Sequence, residues 1–182
     1  MVKNSNKLFT LRFSPIVHPK MARHHVILEC DWFVLGRKRL IKQLAFYDVV
    51  NHMHLLHVFR FPKSYQRYAA YFDRQSAHSH HIPWNKNGFF HLCGVTAAIR
   101  TIQYLYHDRD VIFWAKGQEK VNTLSSHGIE VHNLEDLGCP RFEELSPIPK
   151  TTLNKARVFA AWFPFGEEDD ISASLDEHHY VY

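Results

Sequence analysis

Three apolar runs follow one another in the first third of the chain, each separated from the next by only three residues. They are HVILECDWFVLG (25–36), LIKQLAFYDVV (40–50) and HLLHVFRFP (54–62), the first ending at Gly36 and the third at Pro62. Their length and their aromatic and β-branched residues predict strands, although the spacing of the second run would also tolerate a helix. Because such short connections do not allow a crossover, the three strands are predicted to form an antiparallel meander.

Helical and strand-like patterns alternate in the remainder of the chain. The predicted elements, in order, are a helix over 64–73, a loop over 76–88, a helix over 90–108, a strand over 111–115, a helix over 117–128 that Gly128 closes, a strand over 129–134, a short helix beginning at Pro140 and a helix over 152–163. The helix over 90–108 is predicted to bury one face, formed by Val95, Ala98, Ile99, Ile102 and Leu105. A meander followed by alternating units predicts an α/β fold with a mixed sheet flanked by helices.

The chain is long enough to form one domain with a sizeable core. It has 182 residues, of which 46% are apolar, and this composition favours a folded globule over disorder. We divide it into an N-terminal extension (1–22), a single domain (23–163) and an acidic C-terminal tail (164–182). The extension lacks the apolar block of a signal peptide, and no run of 18 apolar residues occurs. The sequence therefore predicts no membrane partner.

Cysteine usage indicates an intracellular protein. Cys30, Cys93 and Cys139 lie far apart, without a Cys-x-x-Cys motif. An odd number of separated cysteines does not suit a disulfide scaffold and favours a reducing compartment. The expected location is the cytoplasm or the nucleus.

The charge of the chain is divided unevenly along its length. Residues 1–157 contain all 22 basic residues but only 12 of the 18 acidic ones, and the other six acidic residues follow Arg157. A basic body with an acidic tail is typical of nucleic-acid binding that an internal competitor moderates. A solvated surface with a disordered end is the alternative.

Glu29 and Asp31 are separated by one residue in the first predicted strand. Residues at this spacing project from the same face of a strand, so both carboxylates can hold a divalent metal ion for phosphodiester hydrolysis. A strand end that meets solvent would carry the same pair. The clustered His78, His80 and His81 have no acidic residue or cysteine nearby in the sequence, and we interpret them as loop residues rather than as metal ligands.

The order of the predicted elements and the Glu29-x-Asp31 pair resemble the RNase H-like fold, specifically its exonuclease branch with four acidic residues and a histidine. In that family the first strand carries an Asp-x-Glu pair, whose two acids are exchanged here. The second motif is similar to His-Asn-Ala-x-Phe-Asp, and the matching segment AKGQEK (115–120) puts Lys120 in place of the Asp. The last motif needs a His with an Asp five positions later, and none of the 15 histidines has one.

A narrower resemblance covers roughly residues 25 to 145. The segments HHIPWNKNGF and KGQEKVNTL, followed by VHNLEDLGCPRFEEL, resemble degenerate exonuclease-like proteins of invertebrate genomes, viruses and mobile elements. In those proteins a Cys-x-x-His and a His-Cys-Ala-Leu helix follow the Cys-Pro, and this chain has neither, so no zinc site is expected. The chain more distantly resembles the Maelstrom domain, another degenerate member of that superfamily with a role in small-RNA silencing.

The resemblance implies that Lys116 and Lys120 lie where a nuclease would hold metal. An ammonium group in place of a carboxylate removes a metal ligand and repels Mg²⁺. Beside the first turn of a helix, whose free N–H groups favour anions, it would bind a phosphate without cleaving it. Ordinary surface lysines on an exposed helix turn are the alternative.

Further nucleic-acid contacts are predicted in two other segments. Trp84 lies in a predicted loop beside Lys86, where an exposed ring can stack a base while the lysine contacts the backbone. Packing of Trp84 within the fold is the alternative. Arg37, Lys38 and Arg39 form a basic turn between the first two predicted strands.

The sequence leaves three functions open. The first is a catalytically degenerate exonuclease-like domain that binds nucleic acid, single-stranded or RNA, through a basic surface and needs no cofactor. The second is an active metal-dependent 3'-5' exonuclease that uses Glu29, Asp31 and Mg²⁺ or Mn²⁺, with a further acid among Asp108, Asp110 and Glu119. The third is a protein-interaction module of viral or mobile-element origin that acts on a host silencing or defence component.

Overall fold

The computed structural model describes residues 23–85, 88, 90–91, 94–107 and 109–164. The predictions for the extension over 1–22, for Lys86, Cys93 and Asp108, and for the acidic tail beyond Pro164 lie outside these residues. Within them the chain forms an α/β structure in which helices flank a mixed sheet, as the order of the predicted elements indicated.

Six strands form the sheet in the described part of the chain. They are β1 (His24–Leu35), β2 (Lys38–Asp48), β3 (His54–Arg60), β4 (Phe90–His91), β5 (Val111–Ala115) and β6 (His132–Asn133). Their order across the sheet is β4-β3-β2-β1-β5-β6. β1, β2 and β3 form the predicted antiparallel meander, whereas β5 runs parallel to β1 and β6 parallel to β5. β4 also runs parallel to β3, so the pairing changes from antiparallel to parallel at β1 and again at β3.

Helices cover both faces of this sheet. The described α-helices are α1 (Ala69–His78), α2 (Val95–Leu105), α3 (Gln118–Ser125), α4 (Phe142–Leu145) and α5 (Thr152–Trp162), and 3₁₀ helices span Lys63–Tyr68 and Leu134–Leu137. None of the helices in the described ranges combines the length and the apolar character that crossing a membrane requires.

Alternate residues of β1 belong to two different cores, as the period of two in a strand requires. Val26 and Leu28 pack in a cluster with residues of α2 and α3. Ile27, between them, packs in a cluster with residues of α5. A third cluster lies where α1 meets the far end of β1, and its buried members are Phe33, Leu40, Phe61, Phe72 and Trp84.

The helix predicted over 90–108 is wrong at its beginning. Helix α2 begins at Val95, and Phe90 and His91 instead form β4, which pairs with β3. A Cβ atom at position 88 would lie 2.4 Å from the carbonyl oxygen of Val58, so Gly88 allows this segment to approach β3 closely. Leu105, predicted on the buried face, is 43% exposed at the end of α2.

Three shorter predictions also miss their boundaries. Helix α1 continues to His78, into the segment predicted as a loop. Strand β6 has only two residues, because the side chain of Asn133 accepts a hydrogen bond from the N–H of Glu135 and begins a 3₁₀ helix there. Helix α4 begins at Phe142, after an extended Arg141, rather than at Pro140.

A buried carboxylate closes the meander and ties it to α2. Asp48 ends β2 and is 0% exposed. It accepts hydrogen bonds from the N–H groups of Val50 (2.9 Å) and Asn51 (3.0 Å) and from the hydroxyl of Tyr106 (2.8 Å), and its Oδ2 lies 3.3 Å from Nδ1 of His24. Burial by itself would raise the pKa of Asp48, but these hydrogen bonds outweigh it and hold the pKa below its ordinary value.

The stability of the fold should therefore depend on the ionised form of Asp48. Because the folded-state pKa is lower than the unfolded value of about 3.9, the contribution of Asp48 is complete above that value and is lost as the pH falls through the folded-state pKa. We expect Asp48→Asn to lower the free energy of unfolding near neutral pH by about 1–3 kcal/mol. Denaturant unfolding followed toward acid pH should show a steeper loss for the wild type than for this variant.

Asp136→Asn provides the matched control, because Asp136 is exposed. We expect this variant to follow the wild-type pH dependence. If Asp48→Asn showed the same pH dependence as the wild type, Asp48 would not be the cause of the loss of stability at acid pH.

Candidate functional site

Strand β1 continues past the end of β5, and a cleft lies beside its second half. Of the residues in β1, only residues 24–27 pair with β5. Further along, the side-chain amide of Gln75 replaces a strand, with hydrogen bonds of 2.8 Å to the N–H and to the carbonyl of Val34. The cleft has a volume of about 430 Å³. Crevices at the carboxyl ends of parallel strands are common binding positions in α/β sheets.

Glu29 is paired with a lysine from the first turn of α3. Its side chain is 0% exposed, and its Oε2 accepts a hydrogen bond of 2.5 Å from Nζ of Lys120. The chain reaches this position because it turns at Gly117, with φ of 93°, directly after β5 and before α3. Burial by itself would lower the pKa of Lys120, but the charge and the hydrogen bond of Glu29 raise it above its ordinary value.

Asp31 is paired with a second lysine, from α5. Nζ of Lys155 donates a hydrogen bond of 2.6 Å to Oδ1 of Asp31 and lies 3.8 Å from Oε2 of Glu29. The hydroxyl of Thr152, one turn earlier in α5, donates a hydrogen bond of 2.6 Å to Oδ2 of Asp31. Burial by itself would raise the pKa of Asp31, but the Lys155 charge and these hydrogen bonds hold it below its ordinary value.

A β-bulge lies next to this pair. Asp31 is opposite Gln43, whereas Trp32 is opposite Ile41, so that Lys42 is the extra residue in β2. Gln43 keeps its position beside Asp31, with its Oε1 atom 2.6 Å from the hydroxyl of Thr152. Sequence reasoning missed Lys155, Thr152 and Gln43, because nothing in the spacing of α5 or β2 relates them to the pair in β1.

The cleft beside the two pairs contains three lysines and has little net charge. Lys120 and Lys155 face Glu29 and Asp31, and Lys150 forms an ion pair with Glu143. Two of the three clustered histidines line this cleft: His78, which ends α1 and does not lie in the predicted loop, and His80. Burial lowers the pKa of His80 below its ordinary value. Each cation of the cleft that carries a permanent charge thus has an acidic partner.

The structure places Lys116 and Trp84 inside the fold. The side chain of Lys116 is 13% exposed. Its Nζ donates a hydrogen bond of 2.6 Å to the carbonyl of Cys139 and lies 3.6 Å from Oε1 of Glu135. Trp84 is 6% exposed and packs against Phe72. The prediction that Trp84 presents an exposed ring to a base is therefore wrong, because the ring is buried in the aromatic cluster under α1.

The cysteines in the described ranges have protonated, buried thiols. Burial raises the pKa of Cys30 far above its ordinary range, and it raises the pKa of Cys139 to about 11 although the charge of Lys116 opposes this. Neither thiol has the thiolate character that a nucleophile needs.

The basic turn between β1 and β2 is at the surface. Arg37 and Lys38 are exposed. Arg39 forms an ion pair with Glu119 of α3, and its guanidinium lies 5.7 Å from the ring centroid of Trp32. Arg39 thus connects the turn to α3, while Arg37 and Lys38 extend toward solvent.

Of the further acids considered for an active nuclease, the two that the structure describes, Asp110 and Glu119, do not join Glu29 and Asp31. Asp110 forms a surface ion pair with Arg23, and Glu119 forms one with Arg39. Within the described ranges, no group of three or more His, Cys, Asp and Glu side chains is arranged to hold a metal ion. The residues around Glu29 do not fit the divalent ion that the resemblance to exonucleases implies, because an ammonium group is hydrogen-bonded to each of the two carboxylates that would bind it.

Comparison with protein-family models, with curated proteins and with solved structures found no match to this chain.

Proposed function

We propose that this protein is an RNase H-like, exonuclease-like domain that has lost hydrolytic chemistry and binds nucleic acid, single-stranded or RNA, through a basic surface. One observation carries the proposal: each carboxylate of the Glu29-x-Asp31 pair is bonded to a lysine, Lys120 or Lys155. The mixed sheet also supports the proposal, because the two acids lie on the strand that borders the cleft and α3 follows β5 directly.

The lysines explain why hydrolysis is not expected. A nuclease of this class needs carboxylates that are free to hold a divalent ion, which then activates a nucleophile and stabilises the leaving oxygen. Here Lys120 and Lys155 each form an ion pair with one of the two acids, and the hydroxyl of Thr152 donates a hydrogen bond to the other carboxylate oxygen of Asp31. A divalent cation entering the cleft would have to displace two ammonium groups and would be repelled by them.

The charge distribution supports a nucleic-acid ligand. Residues 1–157 carry ten more basic than acidic residues. Phosphates bind such a surface with release of counterions, and the affinity then falls steeply as salt rises. The charge-balanced cleft contributes little to this excess, so the binding surface is expected elsewhere on the domain.

A salt titration tests the binding. We expect fluorescence anisotropy with a labelled oligouridylate to show a Kd that rises strongly between about 50 and 200 mM salt. A plot of log Kd against log salt concentration should have a slope of about 0.7 for each phosphate that the protein contacts. The Kd for an oligothymidylate of the same length compares DNA with RNA, and the Kd for a duplex of that length compares double strands with single strands. Absence of binding to every probe at low salt would contradict the proposed ligand.

The same oligonucleotides test the loss of hydrolysis. Incubation with Mg²⁺ or Mn²⁺ should leave their lengths unchanged on a denaturing gel, because no described acid completes a metal site with Glu29 and Asp31. A Glu29→Gln, Asp31→Asn variant is the control. Shortening by the wild type that this variant lacks would instead identify an active exonuclease.

A further inference from the structure

A second concavity lies at the end of β1, and its charge is not balanced. This basic groove, with a volume of about 460 Å³, is formed by the turn between β1 and β2 and by the 3₁₀ helix after β3. Arg37, Lys38 and Arg67 supply its cations, Tyr65 and Tyr68 supply two aromatic rings, and Ser64 and Leu35 complete the lining. No acidic residue is among the residues that line it.

The three cations of the basic groove differ from those of the cleft. Arg37, Lys38 and Arg67 are exposed, and none of them forms an ion pair or a side-chain hydrogen bond with the described residues, whereas Lys120, Lys150 and Lys155 each contact a carboxylate. Three positive charges that converge on one groove repel one another unless an anion lies between them. The groove is thus arranged for an anionic ligand.

The tyrosines indicate which anion the groove suits. Tyr65 and Tyr68 are half-buried, and their rings pack on Phe72 of the aromatic cluster, with centroid distances of 6.4 and 6.2 Å. The guanidinium of Arg67 lies 4.9 Å from the ring centroid of Tyr68. Aromatic rings beside cations match a ligand that alternates phosphates with planar bases, which is the pattern of single-strand binding sites.

We propose that the basic groove binds a single-stranded nucleic acid, with Arg37, Lys38 and Arg67 on successive phosphates and Tyr65 or Tyr68 against a base. The inference rests on the proposed function and gives it a location, away from the Glu29 cleft. Single strands suit the groove better than a duplex, because only unpaired bases can turn toward the tyrosines.

Charge reversal in the groove is the test. We expect Arg37→Glu, Arg67→Glu to weaken binding of a labelled oligouridylate at least about 10-fold and to lower the salt slope by about 1.4, since each lost phosphate contact removes about 0.7. The matched control is Arg100→Glu, Arg157→Glu, which makes the same charge change on α2 and α5, outside the groove. The control should lose clearly less affinity than the groove variant.

Crosslinking gives a second readout that does not depend on a variant. Irradiation of the wild type with an oligonucleotide containing 4-thiouridine should yield adducts on the peptide that contains Tyr65 and Tyr68, identified by mass spectrometry. Suppose that the wild type binds RNA but the groove variant and the control variant lose the same affinity for the oligouridylate, or that the adducts lie elsewhere. The basic groove is then not the binding site, while the proposed function stands. If the wild type binds no nucleic acid, both fail.

An acidic peptide is the competing occupant. A synthetic peptide of residues 165–182, which include the six acidic residues after Arg157, should displace the oligouridylate only weakly. If the peptide binds more tightly than the oligonucleotide at the same salt concentration, and Arg37→Glu, Arg67→Glu abolishes this binding, the groove recognises an acidic segment and the proposal is overturned.

Discussion

Replacing Lys120 with methionine should lower the free energy of unfolding by about 3–5 kcal/mol, because it leaves the charge of Glu29 buried without its closest partner. Glu29 is 0% exposed, and its Oε1 has no hydrogen-bond partner among the described residues, so Lys120 at Oε2 is its main compensation. Lys155 is 3.8 Å away and already bonded to Asp31. Methionine keeps an unbranched side chain, so the loss reports the charge. Urea unfolding at neutral pH measures it.

Two further variants separate the pair from general effects of the substitution. Lys150→Met removes an exposed lysine from the same cleft and should change the free energy of unfolding by less than about 0.5–1 kcal/mol. The double variant Glu29→Leu, Lys120→Met removes both charges and should recover most of the loss, because apolar replacements for a buried ion pair are often neutral or stabilising. A cost for Lys120→Met no larger than that for Lys150→Met would show that Lys120 does not compensate Glu29.

The meander could be predicted because its signals are local. The apolar runs of β1, β2 and β3 are long, and their connections are too short for anything but hairpins. Strand β4 could not be predicted, since Phe90 and His91 fit a helical pattern equally well. Their pairing depends on contact of Gly88 with β3, about 30 residues earlier in the chain, and no pattern within the segment reports that contact.

Some residues of the candidate site could likewise be predicted from the sequence, and others could not. The Glu29-x-Asp31 pair follows from strand periodicity. The resemblance implied both Lys116 and Lys120 near it, but only Lys120 contacts Glu29, whereas Lys116 contacts Cys139 and Glu135. Lys155 and Thr152 are 124 and 121 residues away from Asp31 in the chain, and the rotation that turns them toward it is set by how α5 packs. Trp84 lies in a loop, as its neighbours in sequence predict, but they do not predict its burial, because the cluster that buries it is formed by β1, β2, the first 3₁₀ helix, α1 and Phe61.

Replacing Lys120 with glutamate should create a metal-dependent protein. The variant brings a third carboxylate to Glu29 and Asp31, so the like charges should destabilise it strongly without a cation. Hard divalent cations prefer carboxylate oxygens, and a cation bound at about 100 times its Kd adds about 2.7 kcal/mol to the free energy of unfolding. We therefore expect Mn²⁺ to raise the Tm of Lys120→Glu by about 5–10 °C, with no comparable shift for the wild type.

The decisive comparison is among three substitutions. Lys120→Gln loses the ammonium group but adds no carboxylate, so it should be destabilised and yet insensitive to Mn²⁺. Lys150→Glu adds a carboxylate to the same cleft but leaves Lys120 on Glu29 and Lys155 on Asp31, so it should also show no Mn²⁺ response. A shift confined to Lys120→Glu, and reversed by EDTA, would mean that position 120 lies where a third carboxylate completes a metal site with Glu29 and Asp31. An equal response in Lys120→Gln, or none in Lys120→Glu, would mean that the ammonium group does not stand in a metal position, and the inactive-nuclease interpretation would lose its physical basis.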